Sequence, residues 1–91
     1  MTDEKINEAC IELANVLKQK NKKYGDSFTK TADELGLVCI VIRLSDKLNR
    51  IKNILLKHEK DDMKGESVKD TLIDLAGYSI LSKIYLDGKK Y

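Results

Sequence analysis

Leu37, Val41, Leu44, Leu48, Ile51 and Leu55 follow one another at alternating spacings of four and three. That spacing keeps apolar side chains on one face of an α-helix and writes a heptad seam for a partner helix. No proline interrupts it, or any other part of the 91-residue chain. The same rhythm recurs earlier in Ile6, Cys10, Leu13 and Leu17, widened by Ala9 and Val16, and later in Val68, Leu72, Leu75, Ser79 and Ser82. An all-α fold follows: a long antiparallel helical hairpin with an N-terminal helix, in a single domain spanning 1–91.

Local signals set the expected boundaries. Thr2 caps a first helix that opens on Asp3 and Glu4, acids favoured at the positive end of the helix dipole, and runs to about Lys20. Tyr24-Gly25-Asp26-Ser27 makes a turn in which Asp26 or Ser27 caps a short helix to Leu35, burying Phe28, Ala32 and Leu35 before Gly36. The second long helix spans about Leu37 to Lys57. Charged residues from His58 to Gly65 form an exposed connection, and the last helix starts near Glu66 or Ser67. Asp87 to Tyr91 is a frayed polar end.

Two helices display more apolar surface than one neighbour can cover. Val38, Cys39, Ile40 and Ile42 leave the start of the second long helix without a polar side. Ile73, Ala76, Ile80 and Ile84 form a second stripe on the last helix, away from the first. A homo-oligomer is therefore expected to complete the core, the more so because a short chain buries a small share of its surface. Gly77, beside Ala76 and Ser79, lets a neighbouring backbone or a ligand approach closely.

Composition narrows the function classes. Seventeen basic residues against 15 acidic leave a net charge of +2, so any anion-binding surface is local and duplex nucleic acid is not expected as a partner. The longest apolar run, Leu37 to Ile42, falls far short of the ~20 residues that span a bilayer, and the N-terminus lacks a signal peptide's basic and apolar regions. The expected location is the cytoplasm, without membrane contact. Cys10 and Cys39 lie among apolar residues without ligand-spaced partners and read as buried reduced thiols; His58 reads as part of a solvated helix end. Glycine-rich phosphate loops, Ser-His-Asp sets and Cys-His pairs are all lacking, which removes the common nucleophilic enzymes.

The charged residues carry the chemistry. Arg43, Lys47 and Arg50 share one flank of the second long helix at the edge of its apolar seam. Such a row either holds phosphate oxygens or neutralises carboxylates on a facing helix. Glu66, Asp70 and Asp74 form an acidic row on the last helix, whose mutual repulsion calls for a cation: Arg43 and Arg50 across the hairpin, or a divalent metal. Glu8 and Glu12 repeat the spacing on the first helix, as further metal ligands or as a solvated face. Lys18 to Asp26, with Lys20, Lys22, Lys23 and Tyr24 ahead of Gly25, joins cations to a ring that can lie over a base.

Three blocks carry a resemblance: Lys22-Lys23-Tyr24-Gly25-Asp26-Ser27-Phe28, then Arg43-Leu44-Ser45-Asp46-Lys47-Leu48-Asn49-Arg50-Ile51, then Glu66 through Tyr78 with Asp70-Thr71-Leu72-Ile73-Asp74-Leu75-Ala76-Gly77-Tyr78. Together, over roughly Lys18 to Leu81, they resemble the nucleotide modification associated domain of phages and bacteria. The resemblance implies a helical domain of phage and prophage settings linked to nucleotide metabolism or DNA base modification. Its polar pattern falls on Tyr24, Asp26, Arg43, Asp46, Lys47, Arg50, Asp70 and Asp74.

A more distant likeness is to the MazG-like all-α nucleoside triphosphate pyrophosphohydrolases, whose Mg²⁺ sits on E-x-x-E and E-x-x-D pairs. This chain offers Glu8-x-x-x-Glu12 and Asp70-x-x-x-Asp74 instead, which shifts the site from acidic to mixed charge. The expected function is thus binding, without cofactor, of a phosphorylated nucleotide or nucleotide-derived signal by Lys22, Lys23, Tyr24, Asp26, Arg43, Lys47 and Arg50. The alternatives are a Mg²⁺-dependent (d)NTP pyrophosphohydrolase with Glu8, Glu12, Asp70 and Asp74 as ligands, and a helical adaptor without a small ligand.

Overall fold

The computed structural model describes residues 1–57 and 67–89. It is all-α: α1 (Asp3–Lys23), α2 (Ser27–Leu35), α3 (Val38–Leu56) and α4 (Val68–Asp87), with no strand among the described residues. The expected 58–65 connection with His58, the acidic position Glu66 and the terminal Lys90-Tyr91 lie outside the described residues.

Each helix begins and ends for a local reason. Thr2 Oγ1 accepts the Lys5 N–H at 3.2 Å, capping α1. That helix runs three residues past Lys20, because lysines are good helix formers and suit its negative end. Tyr24 N–H completes the helix ladder on Lys20 O, and Asp26 N–H reaches back five residues to Asn21 O, the wrapping bond that accompanies a left-handed residue at a helix C-terminus. Gly25 (φ 60°) and Asp26 (φ 57°) both adopt that conformation and turn the chain into α2. The Asp26 carboxylate caps no backbone N–H of α2, against expectation; it accepts the Thr29 hydroxyl at 2.8 Å. Gly36 (φ 87°) reverses α2 into α3.

At α4, Ser67 Oγ accepts the Asp70 N–H at 3.1 Å while Asp70 Oδ2 accepts the Ser67 N–H at 3.0 Å. This reciprocal box satisfies two orphan donors of the first turn. The two Ser67 bonds, backbone first, hold the Asp70 carboxyl below the usual carboxylate range.

The hairpin of α3 and α4 is the frame, with α2 against α3 and α1 across α4. Phe28, Ala32 and Cys39 form the buried apolar core, and Phe28 meets the rings of Tyr78 and Tyr85 at centroid distances of 6.3 and 6.2 Å. The Tyr85 hydroxyl donates to Asp33 Oδ1 at 2.6 Å, tying the end of α4 to α2 and pushing the phenol up to about 12.

Several expected burials are corrected. Leu35 and Cys10 are exposed, since α2 ends at Gly36 with its last apolar residue beyond α3, and α1 buries no residue. In α3, Val41, Leu48 and Leu55 are exposed; α4 instead covers the flank that holds Ile40, Arg43, Leu44, Lys47, Arg50, Ile51 and Ile54, all half-buried.

Candidate functional site

The polar contacts of the hairpin run in antiparallel register. Arg43 Nη1 donates to the Tyr78 hydroxyl at 3.3 Å, Lys47 Nζ lies 3.4 Å from Asp74 Oδ2, and Arg50 Nε donates to Thr71 Oγ1 at 2.9 Å. As the α3 number rises from 43 to 50, the α4 number falls from 78 to 71. Thr71 has no solvent exposure, and its hydroxyl hydrogen goes to Ser67 O at 3.1 Å, so both its capacities are used. The cationic row therefore enters the seam between the helices beside Leu44 and Ile51, and the apolar edge of Val41, Leu48 and Leu55 does not.

Asp74 is a junction. Its Oδ2 faces Lys47 of α3, and its Oδ1 accepts from Lys20 Nζ of α1 at 2.9 Å. The hydrogen bond to Asp74 raises the Lys20 pKa, opposed by partial burial and assisted by the carboxylate charge. Within that row Asp74 finds its cations in Lys20 and Lys47. Asp70 serves the cap of its own helix.

Beside this junction lies a cavity of about 290 Å³ to which all four helices contribute. Lys20 and Asn21 of α1, Tyr24 of its cap, Ser27 and Phe28 of α2, Arg43 of α3, and Asp74, Gly77 and Tyr78 of α4 line it. The Arg43 guanidinium carbon sits 5.9 Å from the Phe28 ring centroid and 5.3 Å from that of Tyr78. Two rings thereby hold this cation by their π-faces while it remains a cavity wall. Gly77 brings the first helix close: a Cβ there would meet Leu17 Cδ2 at 2.7 Å, so only glycine admits that side chain undisturbed.

Of the residues expected at a nucleotide site, Tyr24 and Arg43 line the cavity. Lys47 and Arg50 are spent in the seam. Lys22, Lys23 and Asp26 are exposed and do not line it, although Lys23 Nζ stands 5.7 Å from the Tyr24 centroid. Asn21, Ser27, Phe28 and Tyr78 also line it, and of these Tyr78 is signalled by its place one turn beyond Asp74 on the same helix. Among the described residues no three His, Cys, Asp or Glu side chains gather as metal ligands, and Glu8 and Glu12 stand exposed on α1.

A family model described as nucleotide modification associated domain 1 matches residues 20–86. The chain belongs to this family. No curated protein and no solved structure is matched by the chain. In this nucleotide modification associated domain the matched stretch takes in every residue of the cavity wall except Val16 and Leu17, and it leaves out nearly all of α1. No helix among the described residues is long and apolar enough to cross a membrane.

Proposed function

We propose that this domain binds a phosphorylated nucleotide, or a signal derived from one, in the four-helix cavity and sequesters it, in the phage and prophage setting that the resemblance implies. One observation carries the reading: a cavity near the lower end of ligand-pocket sizes combines two cations, Lys20 and Arg43, with three rings, Tyr24, Phe28 and Tyr78. Arg43 offers paired N–H donors to phosphate oxygens, and its aromatic flanks keep it in place without a carboxylate of its own on the cavity wall. Tyr24, exposed at the rim, supplies a face for a base. Asp74 repels phosphate and accepts from amino or hydroxyl groups, so it orients the ligand with its phosphate toward Arg43. Lys22 and Lys23 add positive charge outside the cavity and bear on the association rate.

Calorimetry with a panel of cyclic and linear nucleotides in EDTA tests this. Binding without turnover is expected, and Arg43→Ala should weaken it about ten- to a hundredfold, the loss of a hydrogen bond to a charged group. Circular dichroism on the same variant separates lost affinity from lost fold. Silence across the panel overturns the reading. Pyrophosphate release that requires Mg²⁺ and is lost on Asp70→Asn favours the pyrophosphohydrolase instead.

A further inference from the structure

The positive charge of the cavity wall is small. Among the described residues its charged members are Lys20, Arg43 and Asp74, two cations and one carboxylate. Lys20 shares its charge with Asp74 Oδ1 at 2.9 Å. Arg43 donates Nη1 to a neutral partner, the Tyr78 hydroxyl, and so keeps its charge for a ligand.

Asp74 is held from two sides. Lys47 Nζ lies 3.4 Å from its Oδ2, and the side chain is only 16% exposed. The carboxylate therefore cannot swing away from an incoming anion without giving up a lysine.

Depth fixes which end of a nucleotide meets these groups. Arg43 is half-buried against the rings of Phe28 and Tyr78, whereas Tyr24 stands 58% exposed at the rim. A base on Tyr24 sends its phosphate inward to Arg43. Lys22, Lys23 and Lys30 are exposed outside the cavity, with Lys23 Nζ 5.7 Å from the Tyr24 ring centroid, so they stand at the base's end. A phosphate chain that lengthens at the inner end moves away from them.

A phosphate monoester carries about −1.5 to −2 charges at neutral pH, already more than the wall's net positive charge. Each further phosphoryl group adds negative charge beside Asp74, in a recess where like charges repel more strongly than in water. Space acts in the same direction, because 290 Å³ lies at the bottom of the range for ligand pockets, about 300–1,000 Å³.

We infer, on the binding reading above, that the ligand carries a single phosphate group, as a nucleoside monophosphate or its cyclic ester, and that Asp74 excludes longer phosphate chains. Arg43 holds the phosphate, and the fixed carboxylate sets the limit on its charge.

Calorimetry in EDTA with the 5′-mono-, di- and triphosphates of the common nucleosides and deoxynucleosides, their 3′,5′-cyclic monophosphates and the bare nucleosides tests this. For the base that binds best, a single-phosphate form should bind at least about tenfold more tightly than the triphosphate and than the bare nucleoside. Asp74→Asn, checked for helical circular dichroism, should narrow the gap to the triphosphate several-fold, since the wall gains a net positive charge. A triphosphate that binds the wild type as tightly as the single-phosphate form overturns the inference and leaves the binding reading standing, and this ranking decides even where the variant fails to fold. A folded Asp74→Asn that keeps the full preference overturns it as well, as does a bare nucleoside that binds equally tightly. Silence from every compound overturns both.

Discussion

Thr71 lies wholly out of solvent in the α3/α4 seam, whereas Ile6, an apolar residue in an equally regular helical stripe, stands 47% exposed on α1. The contrast separates two things that periodicity alone runs together. Regular spacing assigns residues to a face; burial requires that the facing element offer matching groups. The seam has them: Arg43, Lys47 and Arg50, spaced four and three, meet Thr71, Asp74 and Tyr78, spaced three and four. The first half of α1, the α1 arm, faces Ile73 and Ala76 across an open groove.

The sharpest way to break the comparison is Phe28→Ala. Phe28 is 6% exposed against Tyr78, Tyr85 and Arg43, and truncation should cost about 3–5 kcal/mol in urea unfolding. Under dilute conditions Ile6→Ala should stay within about 0.5 kcal/mol, as for a surface residue. Equal losses at both positions would mean the arm is packed within one chain.

Next in size is Thr71→Val, which keeps the shape and removes the oxygen that accepts from Arg50 Nε. About 1–3 kcal/mol is expected in the same assay, the worth of one hydrogen bond to a charged group. A neutral result would show that the seam is held by shape alone.

The smallest effect belongs to the cap of α4. The Asp70 pKa is lowered in the folded protein, so its contribution is present above the unfolded carboxylate range near pH 4 and fades as pH falls through the folded value. Thermal melts of wild type and Asp70→Ala should therefore differ at neutral pH and converge in acid. A gap that persists in acid would assign the effect to helix propensity instead.

Much of the fold was legible because its determinants are local. The Thr2 and Ser67 caps, the Gly25 turn and Gly36 each act within a few residues, and the expected α2 limits match the observed Ser27–Leu35. The seam was misjudged because a helical wheel ranks residues by hydropathy. Here α4 selects the flank whose cations its own Thr71, Asp74 and Tyr78 can satisfy, leaving Val41 and Leu48 outside. The reversed spacings of the two polar sets were present in the sequence and would have shown the register. The cavity was less accessible: Lys20, Phe28, Arg43 and Tyr78 come from four helices, and their meeting depends on how close Gly77 lets α1 come.

Asp74 grips its two lysines unequally. Lys47 is 24% exposed and Lys20 51%, so water competes for the second far more than for the first. The Lys20 contact is the shorter, 2.9 against 3.4 Å, yet it is a latch open to water, whereas the Lys47 contact is a bolt shielded from it. An incoming anion that draws Lys20 toward itself would release that latch while leaving the bolt in place, so occupancy of the cavity and the posture of the first helix are mechanically linked through one side chain.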